Sequence, residues 1–185
     1  TGDEYVFEPI VKLLKIENAK WYLPRAPYKA ESKNGNSWFA GNDVDGWEFD
    51  KTFDGMNNLI NEIQNSGYSN SNIFLIGFSG LRDDHNTAAL FALKSFSEKM
   101  ELTMLTDHSI IQCKKGKSKF RVSKGQLISI LASQSDTLIR TTGLEYELSN
   151  EKLLSPGNGI SNTAISNHIE IDSNDWVWIF INHLE

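Results

Sequence analysis

The chain holds a single cysteine among its 185 residues, Cys113, so no disulfide can form within it. A reducing compartment is the simpler expectation. Cys113 closes the run Ser109-Ile110-Ile111-Gln112 and reads as a small strand residue, not a nucleophile. No apolar run is long enough to cross a bilayer, and no signal-peptide pattern opens the chain. A cytoplasmic protein with no membrane partner is therefore expected, and a start at Thr1 in place of methionine suggests that the natural protein begins further upstream. Positive charge is also scarce. Lysine and arginine total 18 against 24 aspartates and glutamates, a net charge of −6. Phosphate backbones demand a basic surface, so no nucleic-acid partner is expected. The one basic cluster, Lys114, Lys115, Lys117, Lys119 and Arg121, sits in an apparent hairpin and reads as a solvated face, or else as an anion-facing edge. Of the four histidines, His108, His168 and His183 show no ligand spacing and read as structural.

What is present divides into two parts. Val6, Ile10, Leu13 and Leu14 give helical spacing over Tyr5 to Ile16, with Pro9 tolerated in the first turn. Trp21-Tyr22-Leu23 and Trp38-Phe39-Ala40 are candidate short strands among turn signals at Lys33-Asn34-Gly35-Asn36 and Gly41-Asn42-Asp43. A second amphipathic helix is expected from Asp50 or Thr52 to Asn65, closed by Gly67. Ile73-Phe74-Leu75-Ile76 reads as a buried strand, Asn86 to Met100 as a helix and Leu102 to Leu105 as a strand. Beyond Asp107 short β-type runs follow one another: Ser109–Cys113, Lys119–Val122, Gln126–Leu131, Thr137–Thr141, Glu145–Leu148, His168–Ile171 and Trp176–Ile181. The expected architecture is an N-terminal α/β domain with a mainly parallel sheet over residues 1–107, followed by an antiparallel β-sandwich domain over 108–185.

The stretch Gly77-Phe78-Ser79-Gly80-Leu81-Arg82-Asp83-Asp84-His85 lies between the Ile73 strand and the helix. Such turns are where open α/β sheets bind ligands. Arg82 can fork onto phosphate oxygens beside a helix N-terminus, or form a surface pair with Asp84. His85 would orient the loop. Asp43, Asp45, Asp50 and Asp54 precede this turn. Carboxylates gathered at close range repel unless a cation joins them, and a hard ion such as Mg²⁺ suits all-oxygen ligands completed by phosphates. The alternative is that these are turn formers, with Asp50 a helix cap. Further on, Gly157-Asn158-Gly159-Ile160-Ser161-Asn162 is a good turn that could also offer hydrogen bonds to a heterocycle. Trp176 and Trp178, alternate residues of one strand, would face one way, as core or as an aromatic wall.

Together these pieces resemble the thiamine pyrophosphokinase family. Gly77 to Ala89 follows its G-x-x-G-G-R-x-D-H-x-x-A-N pattern, with Leu81 in place of a glycine and Ala89 in place of the asparagine. Lys124-Gly125-Gln126-Leu127-Ile128-Ser129 is similar to its K-G-x-x-x-S, Gly143-Leu144-Glu145-Tyr146-Glu147-Leu148 to its G-L-K-Y-x-L, and Gly159-Ile160-Ser161-Asn162 to its G-I-S-N. Earlier, Asn42-Asp43-Val44-Asp45-Gly46 stands for G-D-F-D-S, and Asp50 to Asp54 for D-x-T-D with Phe53 where threonine is usual. The A-D-G-G loop has no recognisable counterpart. The resemblance implies pyrophosphoryl transfer from ATP to thiamine, giving thiamine diphosphate and AMP, in a homodimer with active sites between subunits. It implies catalytic Asp54, Arg82 and Asp84, nucleotide contacts from Gly80, Arg82 and His85, and Mg²⁺ on Asp43, Asp45 and Asp54. Thiamine would meet Ser161, Asn162 and Trp178. The departures near the N-terminus leave a non-catalytic thiamine-binding or thiamine diphosphate-binding homologue as the alternative.

Overall fold

The computed structural model describes residues 28–29, 36–37, 40–42, 46–48, 61–66, 72–76 and 83–184, except for the side chains of residues 28–48 and of His85. The expected Tyr5–Ile16 helix, the Trp21–Leu23 strand, Gly77 to Leu81, and the candidates Asp43, Asp45, Asp50, Asp54, Gly80 and Arg82 lie outside the described residues. The chain divides into two compact units, Thr1–Ser69 and Asn70–Glu185.

In the first unit, β1 (Tyr28–Lys29) pairs antiparallel with β2 (Asn36–Ser37), and β3 (Ala40–Asn42) with β4 (Gly46–Glu48). The pair Asn42↔Gly46 flanks the Asp43-Val44-Asp45 stretch. Residues 61–65 are helical, as expected for the second amphipathic segment, and Ile63 of its apolar stripe is buried.

The second unit opens with β5 (Ile73–Ile76), α1 (Asp83–Ser97) and β6 (Leu102–Leu105). Strands β5 and β6 are parallel. A parallel neighbour needs a crossover, and α1 supplies it. The helix starts at Asp83, three residues before the expected Asn86, so Asp83, Asp84 and His85 belong to its first turn instead of to a loop. Two carboxylates there complement the positive end of the helix dipole, and Lys94 in the last turn complements its negative end. The Thr87 hydroxyl also donates to the Asp83 carbonyl, 2.8 Å.

From β6 onward every pairing is antiparallel. Thr106 Oγ1 accepts the backbone N–H of Ser109 at 3.0 Å and closes the turn into β7 (Ser109–Arg121). There follow β8 (Leu127–Ala132), β9 (Leu138–Thr142), β10 (Ser149–Lys152), a 3₁₀ turn (Pro156–Gly159), β11 (Asn162–Thr163) and β12 (His168–Asn182). One mixed sheet runs β10-β9-β12-β7-β6-β5, with β8 joined to β12 and β11 to β8.

Two expectations about strands are corrected. Ser109–Cys113 and Lys119–Val122 are not the arms of a hairpin; the first and all of the second but Val122 lie within the single strand β7. Likewise His168–Ile171 and Trp176–Ile181 are both part of β12. The reason lies in the register, which steps from Ser173↔Gly116 to Val177↔Lys114. Gly116, at φ +79°, and a bulge around Asn174 to Trp176 sit opposite each other, so the ribbon bends without ending. The bulge is anchored: Asn174 Oδ1 accepts the Leu138 N–H at 2.8 Å, and the Trp176 carbonyl accepts the Ser133 N–H at 3.0 Å. Before the bulge β12 pairs with β9; after it, with β8. A third correction concerns Glu145–Leu148, which is not a strand. The pairing falls on Ser149–Lys152.

This change of neighbour wraps one sheet face around an aliphatic core. Ile128, Ile130, Ile139, Ile169, Ile171, Val177, Ile179 and Ile181 fill it, with Phe120, Leu144 and Ala164. On the opposite face α1 covers part of the sheet, where Leu93, Phe96, Met104, Ile111, Cys113 and Trp178 are buried. Beyond the helix that face is exposed and charged. Lys117 and Lys119 both reach Glu170, at 2.5 and 3.4 Å, and Lys115 reaches Asp175 at 3.4 Å.

Candidate ligand-binding site

Three sequence motifs meet at one edge of the β region. Strand β8 turns Ile128 and Ile130 into the core, so Ser129 faces the other side. Its Oγ accepts the backbone N–H of Ser161 at 3.0 Å. Ser161 needs that support, because its φ of 57° lies in the left-handed region. A non-glycine residue pays about 1 kcal/mol or more there. The turn before it is held tightly. Asn158 Oδ1 accepts the Ser155 N–H at 3.1 Å and its hydroxyl at 2.7 Å. Gly159 is pressed onto β8: a Cβ there would stand 2.1 Å from the Ile130 carbonyl oxygen, so no other residue fits without moving backbone.

Asn162 then ties this loop to the next motif. Its Nδ2 donates to the Tyr146 carbonyl at 2.7 Å, and its Oδ1 accepts the N–H of Tyr146 at 3.1 Å and of Thr163 at 2.8 Å. The amide side chain thus replaces a strand partner for Tyr146. On the other side Glu147 Oε1 accepts the Gly143 N–H at 2.8 Å. Gly143 itself is fixed by two constraints: φ is +86°, and a Cβ would meet the His168 carbonyl oxygen at 2.6 Å. These side-chain bonds are why Glu145–Leu148 does not continue as a strand despite its alternating pattern. The first motif joins through Gly125, whose N–H donates to the Ala164 carbonyl at 2.8 Å.

The result is a rim with fixed backbone and accessible side chains. Ser161 is exposed, Asn162 is half-buried, and Tyr146 is 71% exposed. The chemistry available is hydrogen bonding from hydroxyls and an aromatic surface, which suits recognition of a planar polar ligand. Sequence reasoning gave Ser129 and Tyr146 no role. The signal was their place inside the quoted motifs, but the bonds that reveal their roles span 32 residues for Ser129–Ser161 and 16 for Tyr146–Asn162.

Trp178 lies on the same sheet face as Ser129, since it is opposite Leu131 and Phe180 is opposite Ser129. It is 8% exposed. Its indole N–H donates to the Leu90 carbonyl at 2.8 Å, and the Phe91 ring meets it edge-on with centroids 5.7 Å apart. These contacts join α1 to the sheet. Trp176, in the bulge, is half-buried.

The strand-to-helix corner is described only from Asp83 on. Asp84 is exposed in the first turn of α1, and His85 is helical. Among the described residues no group of three or more His, Cys, Asp or Glu side chains is placed to hold a metal ion. Burial pushes the Cys113 thiol up to about 12, which makes it inert. The Lys117 ammonium holds the Glu170 carboxyl below its ordinary value, while a hydrogen bond from the Trp176 N–H does the same for Asp175. No helix among the described residues is long and apolar enough to cross a membrane.

Comparison with known proteins bears on the same residues. Residues 108–178 match the family model described as thiamin pyrophosphokinase, vitamin B1 binding domain. The resemblance to the thiamine pyrophosphokinase family is real. Solved thiamine pyrophosphokinases share the fold. The structure from Bacillus subtilis aligns at TM-score 0.59 and 18% identity, over 71% of this chain and 63% of that one. That from Candida albicans aligns at 0.57 and 20%, over 70% and 52% respectively. That from Geobacillus thermodenitrificans aligns at 0.56 and 17%, over 68% and 60%. This chain therefore spans between 52% and 63% of the length of these three thiamine pyrophosphokinases. No curated protein sequence matches it.

Proposed function

We propose that the chain is a thiamine pyrophosphokinase, which transfers pyrophosphate from ATP to the hydroxyethyl group of thiamine. The observation that carries the reading is the convergence of the Lys124–Ser129, Gly143–Leu148 and Gly159–Asn162 motifs on one rim, within the segment that matches a vitamin B1 binding domain. In this reading Ser161 and Asn162 meet thiamine, with Trp178 behind them on the sheet. Gly80, Arg82 and His85 take the phosphates of ATP at the corner between β5 and α1. Asp43, Asp45 and Asp54 would hold Mg²⁺, which neutralises phosphate charge when bound. The thiamine hydroxyl oxygen attacks the β-phosphorus, its proton passes to a carboxylate (Asp54 or Asp84), the bond from the β-phosphorus to the oxygen bridging it to the α-phosphorus breaks, and AMP leaves with that oxygen. Catalysis of this kind rests on positioning and charge neutralisation more than on covalent chemistry. The reading includes a catalytic domain over 1–107, a thiamine-binding and dimerisation domain over 108–185, a homodimer with shared active sites, and a cytoplasmic location without nucleic-acid or membrane partners.

A second reading, a non-catalytic binder of thiamine or its diphosphate, is favoured by one fact. The family match covers 108–178 alone, and the phosphate-side motif departs from the family pattern at Leu81 and Ala89. Incubation with ATP, Mg²⁺ and thiamine separates the two. Equal amounts of thiamine diphosphate and AMP are expected. Saturable thiamine binding without either product would establish the second reading, and neither binding nor product would overturn both.

A further inference from the structure

We infer that the bend shared by β12 and the segment between β8 and β9 is a binding site for buried water, held by the hydroxyls of Ser133, Thr137 and Ser173. Strands β8 and β9 lie end to end along one side of β12, with Ala132 opposite Val177 and Ile139 opposite Ser173. Residues 133–137 thus leave the ladder where residues 174–176 bulge from β12. Two bonds tie these excursions together: the Ser133 N–H donates to the Trp176 carbonyl at 3.0 Å, and the Leu138 N–H to Asn174 Oδ1 at 2.8 Å. Among the described residues four buried side-chain polar atoms have no hydrogen-bond partner, and three of them, Ser133 Oγ, Thr137 Oγ1 and Ser173 Oγ, belong to this bend. Thr137 is 1% exposed and Ser173 3%.

The register explains why hydroxyls gather here. Ser173 continues the inward alternation of Ile169 and Ile171, and Thr137 stands two residues before the buried Ile139. Each therefore ends a row of aliphatic side chains that fills the core. A buried hydroxyl without a partner loses its hydration and regains no bond, so orphaned groups in one place call for an occupant. A hydroxyl can turn to donate or accept, and a buried water takes about two to four such partners. The chemistry selects water over a cation. The three oxygens are neutral, and the carboxylates on the same two segments are engaged elsewhere. Asp136 is exposed, while Asp175 Oδ1 accepts the Trp176 N–H at 2.8 Å and lies 3.4 Å from the Lys115 ammonium. An apolar occupant would leave the hydroxyls as unpaired as before. A bridging water joins the two excursions across which β12 exchanges β9 for β8.

The test is a high-resolution crystal structure of the full chain, with thermal unfolding of variants as a second measurement. Neither depends on whether the chain binds thiamine. The expected result is an ordered water within hydrogen-bonding distance of at least two of the three hydroxyls. Hydroxyls bonded to one another or to backbone carbonyls, with no water between them, would overturn the inference, as would an ion in the water's place. Thr137→Val keeps the shape of the side chain and removes the hydroxyl. If that hydroxyl holds a water, the variant should melt roughly 2–4 °C lower, the shift that one lost hydrogen bond brings in a chain of this size. An unchanged or higher melting temperature would overturn the inference, because a methyl is the better occupant of a site where the hydroxyl has no partner. Should Thr137→Val fail to fold, Ser173→Ala carries the same comparison with the same two outcomes, and the structure of the unchanged chain decides by itself.

Discussion

The rim of the β region and the corner at the start of α1 carry family motifs of different physical kinds. In the rim several motif residues have a reason to be there before any ligand arrives. Gly143 and Gly159 have no room for a Cβ, Ser129 supports a strained Ser161, and Asn162 stands in for a missing strand. At the corner the candidate site residue whose side chain the structure describes, Asp84, is exposed in a helix turn that Asp83 and Thr87 already help to close. Motifs of the first kind testify to a fold. Motifs of the second kind have no such structural reason, and it is there that Leu81 and Ala89 depart from the family pattern. Binding and turnover therefore call for separate tests.

The largest expected effect probes the rim. Gly159→Ala must push the 3₁₀ turn away from the Ile130 carbonyl, at a cost on the order of 2–4 kcal/mol. Gly157→Ala, whose nearest neighbour would be Ser155 Oγ at 3.6 Å, should stay within about 0.5 kcal/mol. Thermal unfolding of the pair measures the contrast, and equal melting points would remove the packing argument for this glycine. At the corner the expectation reverses. Arg82→Ala should lower turnover by at least about 100-fold, equivalent to about 2.7 kcal/mol of transition-state stabilisation, while calorimetric thiamine affinity holds. A variant that turned over normally would take Arg82 out of the chemistry.

Asn162→Ala strips Tyr146 of both of its side-chain bonds at a cost of about 1–3 kcal/mol. Urea unfolding measures it, and a smaller loss would show that the rim is held by other contacts. The two faces of β7 allow a milder comparison. The Cys113 thiol, beneath α1, is raised to about 12 by burial, so the folded state keeps it protonated above the pH at which an unfolded chain would lose the proton. Its contribution is complete below about pH 9 and declines as pH rises toward 12. Stability should thus fall more steeply over that range than in Cys113→Ala, and identical pH profiles would contradict the burial argument. The smallest effect belongs to the exposed face. Glu170 is held below its ordinary value by Lys117, so its contribution is present at neutral pH and lost on acidification through the lowered value. Glu170→Gln should change the melting temperature within experimental scatter, as expected of a solvent-screened pair.

Much of this was legible in the sequence where the signal is local. Ile73–Ile76 and Leu102–Leu105 declare themselves as strands by their apolar runs, and the periodic stripe of Ala92, Leu93 and Phe96 marks α1; the expected burial of the first strand is not seen, since Phe74 and Ile76 are exposed. What escaped depends on distant partners. Gly116 and the Asn174-Asp175-Trp176 stretch each look like a break, yet because they face each other across the β7–β12 ribbon they cancel as a bend. Leu144, Tyr146 and Leu148 alternate as a strand would, but Glu147 and Asn162 capture the backbone bonds first. Ser161 and Asn162 were visible as a motif; that Asn162 looks inward to Tyr146 was not.

In the proposed reading the rim binds thiamine. Two-dimensional amide NMR of the chain during a thiamine titration tests it most directly. The expected result is saturable shifts centred on Ser129, Tyr146, Ser161 and Asn162, with β10 and the charged face of β7 unaffected. No shifts at saturating thiamine, or shifts that leave those four residues unmoved, would contradict it.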